Sequence, residues 1–311
     1  MGGKTSSILH PVSVDVFPTL ARWRRPCKIK LAYKIPAGGG LLDKQGEGQS
    51  LPSSLYTEEY FRTACEGFDE FNTSEGEHLS RRLAAAFRLA EVTAGMAVLD
   101  VGCGRGEILR HCAKLGADAY GIDYAPVAVQ MSQQVLDTLD NASTGRTVVT
   151  LADAKRLPFS SESFDRVLMF DVVEHLYPWE LQAAMTEIRR VLKPNGRFII
   201  HTAPNSWYDR YAYPVVRLVR TLMGEGDRYP RDPRQFGVAI NEHVHVNEQS
   251  IWSLGRALKQ AGFQGKVWLD SPPQNRDENM IMAGLRKLAF DTPPFRWFFE
   301  REVFAVAAKA E

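Results

Sequence analysis

The chain has 311 residues, with 38 Lys+Arg against 37 Asp+Glu, a formal net charge of +1, 44% hydrophobic and 24% charged residues. That is the make-up of a globular protein with a sizeable core, and the neutral balance argues against nucleic acid as the partner. No apolar run approaches the ~20 residues that span a bilayer and no cleavable signal is visible, so a cytoplasmic location is expected. Cys27, Cys65, Cys103 and Cys112 show no C-x-x-C spacing, which speaks against a zinc knuckle or a redox pair.

Residues 1–50 form an N-terminal extension, expected to be partly ordered. It mixes the basic runs Arg22-Trp23-Arg24-Arg25 and Lys28-Ile29-Lys30 with Gly38-Gly39-Gly40, and either a cover over a site or an interaction arm fits it. Residues 51–311 form the main domain. It opens with a helix whose N-cap is Thr57. Tyr56 and Tyr60, four apart, are expected on one face of that helix. A second helix over 78–92 carries Leu79, Leu83, Phe87 and Leu89 on its apolar side.

From residue 96 onward strands and helices alternate. Strands are expected at 96–101, 117–123, 147–151, 164–170, 197–202, 264–270 and 302–308. Helices are expected at 107–115, 126–139, 181–192 and 249–261, a turn at Lys193-Pro194-Asn195-Gly196, and a long link over 271–300. This is an α/β pattern with a mostly parallel sheet and helices on both faces. The first strand runs Val98-Leu99-Asp100-Val101 into Gly102-Cys103-Gly104-Arg105-Gly106, and the second ends in Asp123. Alternate glycines permit a tight turn and close approach of a ligand to the backbone, and an acid ending the second strand can accept the hydroxyls of a ribose. A dinucleotide fold wants G-x-G-x-x-G; here the third glycine comes one residue early, and Glu107 takes its place with a charge that repels a pyrophosphate.

The stretch from Val98 to Gly106 resembles motif I of the class I S-adenosylmethionine-dependent methyltransferases. Asp153-Ala154, Leu157-Pro158-Phe159 and Phe164-Asp165, followed by a strand and Glu174-His175, are similar to the small-molecule branch of that family, including its ubiquinone/menaquinone-type and sugar/polyketide members. So is Glu242-His243 with the later Ala261-Gly262-Phe263. The resemblance covers residues 90–205 in register. It implies a Rossmann-like, seven-stranded, mostly parallel sheet whose last strand is antiparallel, with S-adenosyl-L-methionine as cofactor. By the same resemblance, cofactor contacts fall to Tyr60, Asp100, Gly102, Gly104, Asp123, Tyr124, Asp153, Ala154, Phe170 and Asp171. Within that set Gly102 and Gly104 meet the methionine part, Asp123 the ribose, and Asp153 and Ala154 the adenine.

The implied activity is methyl transfer to a small molecule, at oxygen: a sugar or glycan precursor, a polyketide-like compound or a quinone-type ring. Proton removal suits histidine, and His175, His201, His243 and His245 lie at or beyond carboxyl ends of strands as candidate bases. Asp171-x-x-Glu174-His175 is similar to an E-x-x-E-H pattern that some relatives use for a divalent metal; with Asp in the first place, no metal is expected. Residues 204–247, rich in arginine and aromatic residues, form an insertion expected to be a substrate lid. Val215, Val216, Val219, Leu222 and Met223 are able to line one face of an interfacial helix. A cofactor-binding regulatory protein without catalysis and a metal-dependent O-methyltransferase stand as alternatives, a nucleotide-dependent oxidoreductase and an RNA methyltransferase remain as other classes, and the pattern leaves the oligomeric state open.

Overall fold

The computed structural model describes residues 49–139, 145–235, 240–271 and 280–310. The expectations for residues 1–48, and for the portions of the insertion and the long link at 236–239 and 272–279, lie outside the described residues.

Three short helices come first: α1 (Glu58–Thr63), α2 (Phe68–Ser74) and α3 (Arg81–Leu89). Thr57 is the N-cap of α1, its hydroxyl accepting the Tyr60 N–H at 3.2 Å, and Ser80 caps α3 in the same way. Tyr56 precedes the cap and lies outside the helix, yet its ring meets that of Tyr60 edge to face at 5.2 Å. The expected 78–92 helix is shorter because Ser80 starts it and Ala90 ends it; α2 had no periodic signal in its seven residues.

The alternating core follows: β1 (Ala97–Val101), α4 (Glu107–Lys114), β2 (Asp118–Asp123), α5 (Pro126–Asp137), β3 (Thr147–Leu151), β4 (Phe164–Phe170), α6 (Pro178–Val191) and β5 (Leu192–Thr202). The helix α6 starts three residues before its first expected apolar position. Pro178 presets its first turn, and the Glu180 carboxylate accepts the Tyr177 N–H at 3.0 Å. The expected turn at residues 193–196 lies inside β5: Phe164 pairs with Leu192 and Arg166 with Arg197, so those four residues bulge out of an otherwise continuous strand.

In the insertion a π-helical turn, Tyr208–Ala212, leads into α7 (Tyr213–Leu222). Trp207 anchors it, stacked between Trp252 at 4.2 Å and Phe298 at 5.2 Å. Val215, Leu218, Val219, Leu222 and Met223 are exposed, so that face of α7 is not packed on the described residues. Then come α8 (Asn241–Val244), α9 (Ile251–Gln260), β6 (Phe263–Leu269), α10 (Met280–Asp291), α11 (Phe295–Phe299) and β7 (Val303–Lys309). The long link therefore holds two helices, α10 and α11. No helix among the described residues is long and apolar enough to cross a membrane.

The seven strands form one sheet in the order β3-β2-β1-β4-β5-β7-β6, parallel except that β7 runs antiparallel to both neighbours, β5 and β6. Strand alternation splits the core. Leu99, Val101, Val167 and Met169 face α6 and α9, whereas Val98, Leu168, Phe170 and Ile199 face α3 and α4. The order reverses between β1 and β4, and open α/β sheets bind ligands at that point, outside the carboxyl ends of the strands.

Gly106, at φ 85°, caps α4, and a Cβ there would lie 2.8 Å from Ser132 Cα on α5. Gly106→Ala is expected to lower unfolding free energy by about 2–4 kcal/mol, from left-handed strain plus a clash with backbone; urea denaturation of the two proteins measures it.

Candidate active site

The turn after β1 is built for closeness. Gly102 has φ 78°, and a Cβ on it would sit 2.4 Å from a Val172 methyl, so only glycine lets the β1 and β4 ends approach. Arg105 follows, buried within that turn. Its guanidinium donates to Glu107 Oε2 at 3.2 Å and Oε1 at 2.7 Å, to the Phe61 carbonyl at 2.8 Å and to the Glu66 carbonyl, and it lies over the Phe71 ring. One side chain thus ties α1 and α2 over the glycine turn. The sequence shows Glu107 only as a charge that repels a pyrophosphate; the structure pairs it with Arg105, which occupies a variable place in the motif and carried no signal.

A cavity opens at this edge. Tyr60, Asp100, Gly102, Gly104, Asp123, Tyr124, Asp153, Ala154, Phe170 and Asp171 all line it. Seven of its lining residues carry carboxyl groups and two, Arg105 and Lys155, carry cationic ones. Asp123 accepts the Gly104 N–H at 3.1 Å and the Ala125 N–H at 2.9 Å, and burial still lifts its carboxyl to about 6. Burial, then the charges of Glu107 and Asp123, lift Asp100 to about 8. Asp153 sits half-exposed at the rim, accepting the Lys155 N–H at 2.8 Å and pairing with its ammonium at 2.9 Å. A cavity so rich in carboxylates repels a pyrophosphate and suits a cationic ligand. S-adenosylmethionine, which carries a sulfonium and an ammonium, fits it on charge, and the side-chain-free turn leaves room for close backbone approach.

A second cavity shares Tyr60, Cys65, Glu66, Asp171 and His175 with the first and continues along Glu174, Arg82, Arg301 and His245. Asp171, at the end of β4, has φ 53°, an uncommon conformation for a residue with a side chain. Its Oδ1 lies 2.8 Å from His201 Nδ1, off the line of a hydrogen bond, and His201 Nε2 lies 2.9 Å from Glu302 Oε2. Arg82 continues this chain of charges to Glu302 at 3.4 Å and to Glu66.

The family that describes a methyltransferase domain matches residues 99–200. Demethylmenaquinone methyltransferase of Tropheryma whipplei is 32% identical over 193 residues, covering 59% of this chain and 73% of that one. The ubiquinone/menaquinone biosynthesis C-methyltransferase UbiE of Burkholderia vietnamiensis is 27% identical over 217 residues, 65% of this chain and 82% of that one. The fold is shared with a structure of the Haloferax volcanii Trm112 methyltransferase activator in complex with a methyltransferase, at a TM-score of 0.54, 17% identity, and coverage of 84% of this chain and 100% of that one. The chain belongs to the class I S-adenosylmethionine-dependent methyltransferase family. It is an enzyme of that family, S-adenosylmethionine is its cofactor, and its acceptor is a small molecule.

The four candidate bases of the methyltransferase divide. His201 is a correction: it is fully buried and lines neither cavity. Burial opposes its charge, but Asp171 and Glu302 overcome that and hold the imidazolium to about pH 10, so it accepts no proton near neutrality. His243 lies in α8 and lines neither cavity. His175 and His245 do meet, ring to ring at 5.0 Å, and the second cavity touches both. Burial pushes His175 down to about 4; burial and then His175 push His245 to about 3, so both imidazoles are neutral at pH 7. Glu174 donates nothing and accepts the Thr202 hydroxyl at 2.7 Å; burial and the neighbouring Asp171 charge hold its carboxyl above the usual range. Glu174, His175 and His245 bring ligand atoms within 4.8 Å of one another, whereas Asp171, first of the D-x-x-E-H pattern, faces His201 instead.

The His201 imidazolium stabilises the fold fully below the free histidine value of about 6.5, and that contribution is lost as pH rises through about 10. His201→Gln should cost about 3–5 kcal/mol near pH 7, leaving two largely buried carboxylates without the cation between them, and should flatten the stability loss between pH 7 and 10. Denaturant titrations across that range compare the two proteins.

Proposed function

We propose that the methyltransferase methylates an oxygen of a hydroxylated, quinol-type ring, with the donor in the first cavity and the acceptor in the second. The observation that carries this is the shared wall of Tyr60, Asp171 and His175, which places two cavities of different character in contact. S-adenosylmethionine, when bound, supplies a methyl already activated by its sulfonium. The chain's own work is then orientation and proton handling.

For the donor, Gly102 and Gly104 would hold the methionine part against bare backbone, Asp123 the ribose hydroxyls, and Asp153 with Ala154 the adenine. Tyr60, Tyr124, Phe170, Asp100 and Asp171 would complete the wall. For the acceptor, Pro204, Pro233, Arg234, Asn241 and His245, all from the 204–247 insertion, line the second cavity, which supports that insertion as its lid. The neutral, weakly basic His175 and His245 are poor proton acceptors from an ordinary alcohol. They fit an acceptor whose hydroxyl is already acidic, a phenol or enol, better than a sugar. Relatives named for quinone precursors support a ring acceptor, and UbiE, named a C-methyltransferase, favours a second reading in which the adjacent ring carbon receives the methyl.

Titration calorimetry tests the donor half. Asp123→Ala should weaken S-adenosylmethionine binding by roughly tenfold to a hundredfold, as loss of hydrogen bonds to a charged group does; unchanged affinity would remove this assignment. Asp100, at about 8 in the free protein, is largely protonated at pH 7, and a cationic donor favours its ionised form. Binding should therefore release protons and tighten from pH 6 to 8, which buffers of different ionisation enthalpy reveal. Mass spectrometry of products from catechol or quinol and from hexose acceptors tests the acceptor half: a methyl ether of the phenol supports the oxygen reading, a ring-methylated product selects the second, and a methylated hexose overturns both.

A further inference from the structure

We propose that Arg301 is the anion-binding residue of the second cavity and takes a carboxylate carried by the acceptor, so that the methyltransferase acts on a hydroxylated ring bearing an acid group. The hydroxylated ring rests on the acceptor reading given above; the anion subsite rests on how the charges of the cavity are matched. Arg82, Arg234 and Arg301 all line that cavity. The Arg82 guanidinium is taken by Glu66 and Glu302. Arg234 is held by Asp232, its Nε donating to Oδ1 at 3.1 Å and a terminal nitrogen to Oδ2 at 2.8 Å. Among the described residues Arg301 has no ion pair; its guanidinium lies over the Tyr208 ring, 5.0 Å from the centroid, and its Nε is buried without a hydrogen-bond partner. Asp209 feels its charge, yet burial lifts that carboxyl to about 7, so it is no fixed counter-ion at neutral pH.

The backbone holds Arg301 in place. Buried Asn205 donates its N–H to the Arg301 carbonyl at 2.8 Å, and its side-chain amide donates to the carbonyls of Glu300 and Trp297, both at 2.9 Å. The acids on either side of Arg301 in the chain are already engaged. Glu300 accepts the Ser271 hydroxyl, and Glu302 meets Arg82 and His201. A guanidinium fork fixed by backbone and ring, with no carboxylate of its own, is pre-organised for a planar, bidentate anion.

Arg301 lines the second cavity and not the first, which assigns its anion to the acceptor rather than to the carboxylate of S-adenosylmethionine. The cavity's own acids do not compete for it. Glu66 is matched by Arg82 and Asp171 by His201, and burial raises the Glu174 carboxyl. Asp69 and Glu70 stand in the first turn of α2, where the helix dipole favours negative charge. One unmatched positive charge suits a monoanion; a phosphate dianion would bring one charge more than Arg301 cancels. Burial and then His175 depress the His245 imidazolium, and the charges of Arg234 and Arg301 add to that depression, so the guanidinium and the imidazoles share one space. The cavity thus offers a bound molecule a neutral end at His175 and His245 and a cationic end at Arg301.

Calorimetry on the full chain tests this with benzoate and its neutral isostere benzamide. The wild type should bind benzoate about tenfold or more tightly than benzamide, as hydrogen bonds to a charged group contribute. Arg301→Gln should lose that preference and Arg301→Lys should keep part of it. Arg228→Gln, which alters an exposed arginine outside both cavities, should keep all of it. Titration of every preparation with S-adenosylmethionine shows whether its cofactor cavity has folded, which separates loss of the anion subsite from loss of structure. In turnover, protocatechuate should have a KM about tenfold below that of its amide, and Arg301→Gln should close that gap. Equal wild-type affinities for benzoate and benzamide, or a folded Arg301→Gln that keeps the preference, overturns the proposal. Arg301-dependent binding of benzoate without methylation of either catechol supports the anion subsite and overturns the ring acceptor instead.

Discussion

The carboxyl edge of the sheet depends on one buried cation. His201 sits fully enclosed on β5 between Asp171 of the β4 end and Glu302 beside β7, whose carboxylates are largely withdrawn from solvent. Removing charge from water is costly, so a buried carboxylate persists only with a partner. Here the partners form a chain. Asp171 and Glu302 share the imidazolium; Glu302 and Glu66 share Arg82. That chain joins the centre of the sheet to its antiparallel edge and to the first helices. It also fixes Asp171, in its left-handed conformation, at the wall between the two cavities.

A second buried cation, Arg105, does similar work at the same edge. Arg105 satisfies Glu107 and two main-chain carbonyls at once, so α1 and α2 are held over the glycine turn by hydrogen bonds rather than by area alone. Its planar fork suits that task where a lysine would not. With Glu107 matched by Arg105 and the Glu66 carboxylate by Arg82, the strand-end acids Asp123 and Asp171 and the rim acid Asp153 give the first cavity its negative character. Asp100 adds to it once a cationic donor favours its ionised form.

The second cavity differs because its polar groups come from distant segments. The turn after β4 supplies Glu174 and His175, the insertion supplies His245, and β7's approach supplies Arg301. The two neutral imidazoles are the chemical counterpart of the protonated His201: the same side chain, separated by which neighbours carry negative charge.

The alternation of strands and helices, the glycine turn and the strand-end acids were legible along the chain because each is a local pattern: period two in a buried strand, glycine where φ is positive, an acid at a fixed offset. All ten expected cofactor residues consequently line one cavity. What local pattern could not carry was pairing. Four histidines looked equivalent in the sequence; tertiary packing made His201 a cation between carboxylates, left His243 outside both cavities, and brought His175 to His245 across about 70 residues. The roles of Arg105, Arg82 and Glu302 were hidden for the same reason. The charge state of a buried group is set by what stands next to it in space, and sequence distance does not encode that.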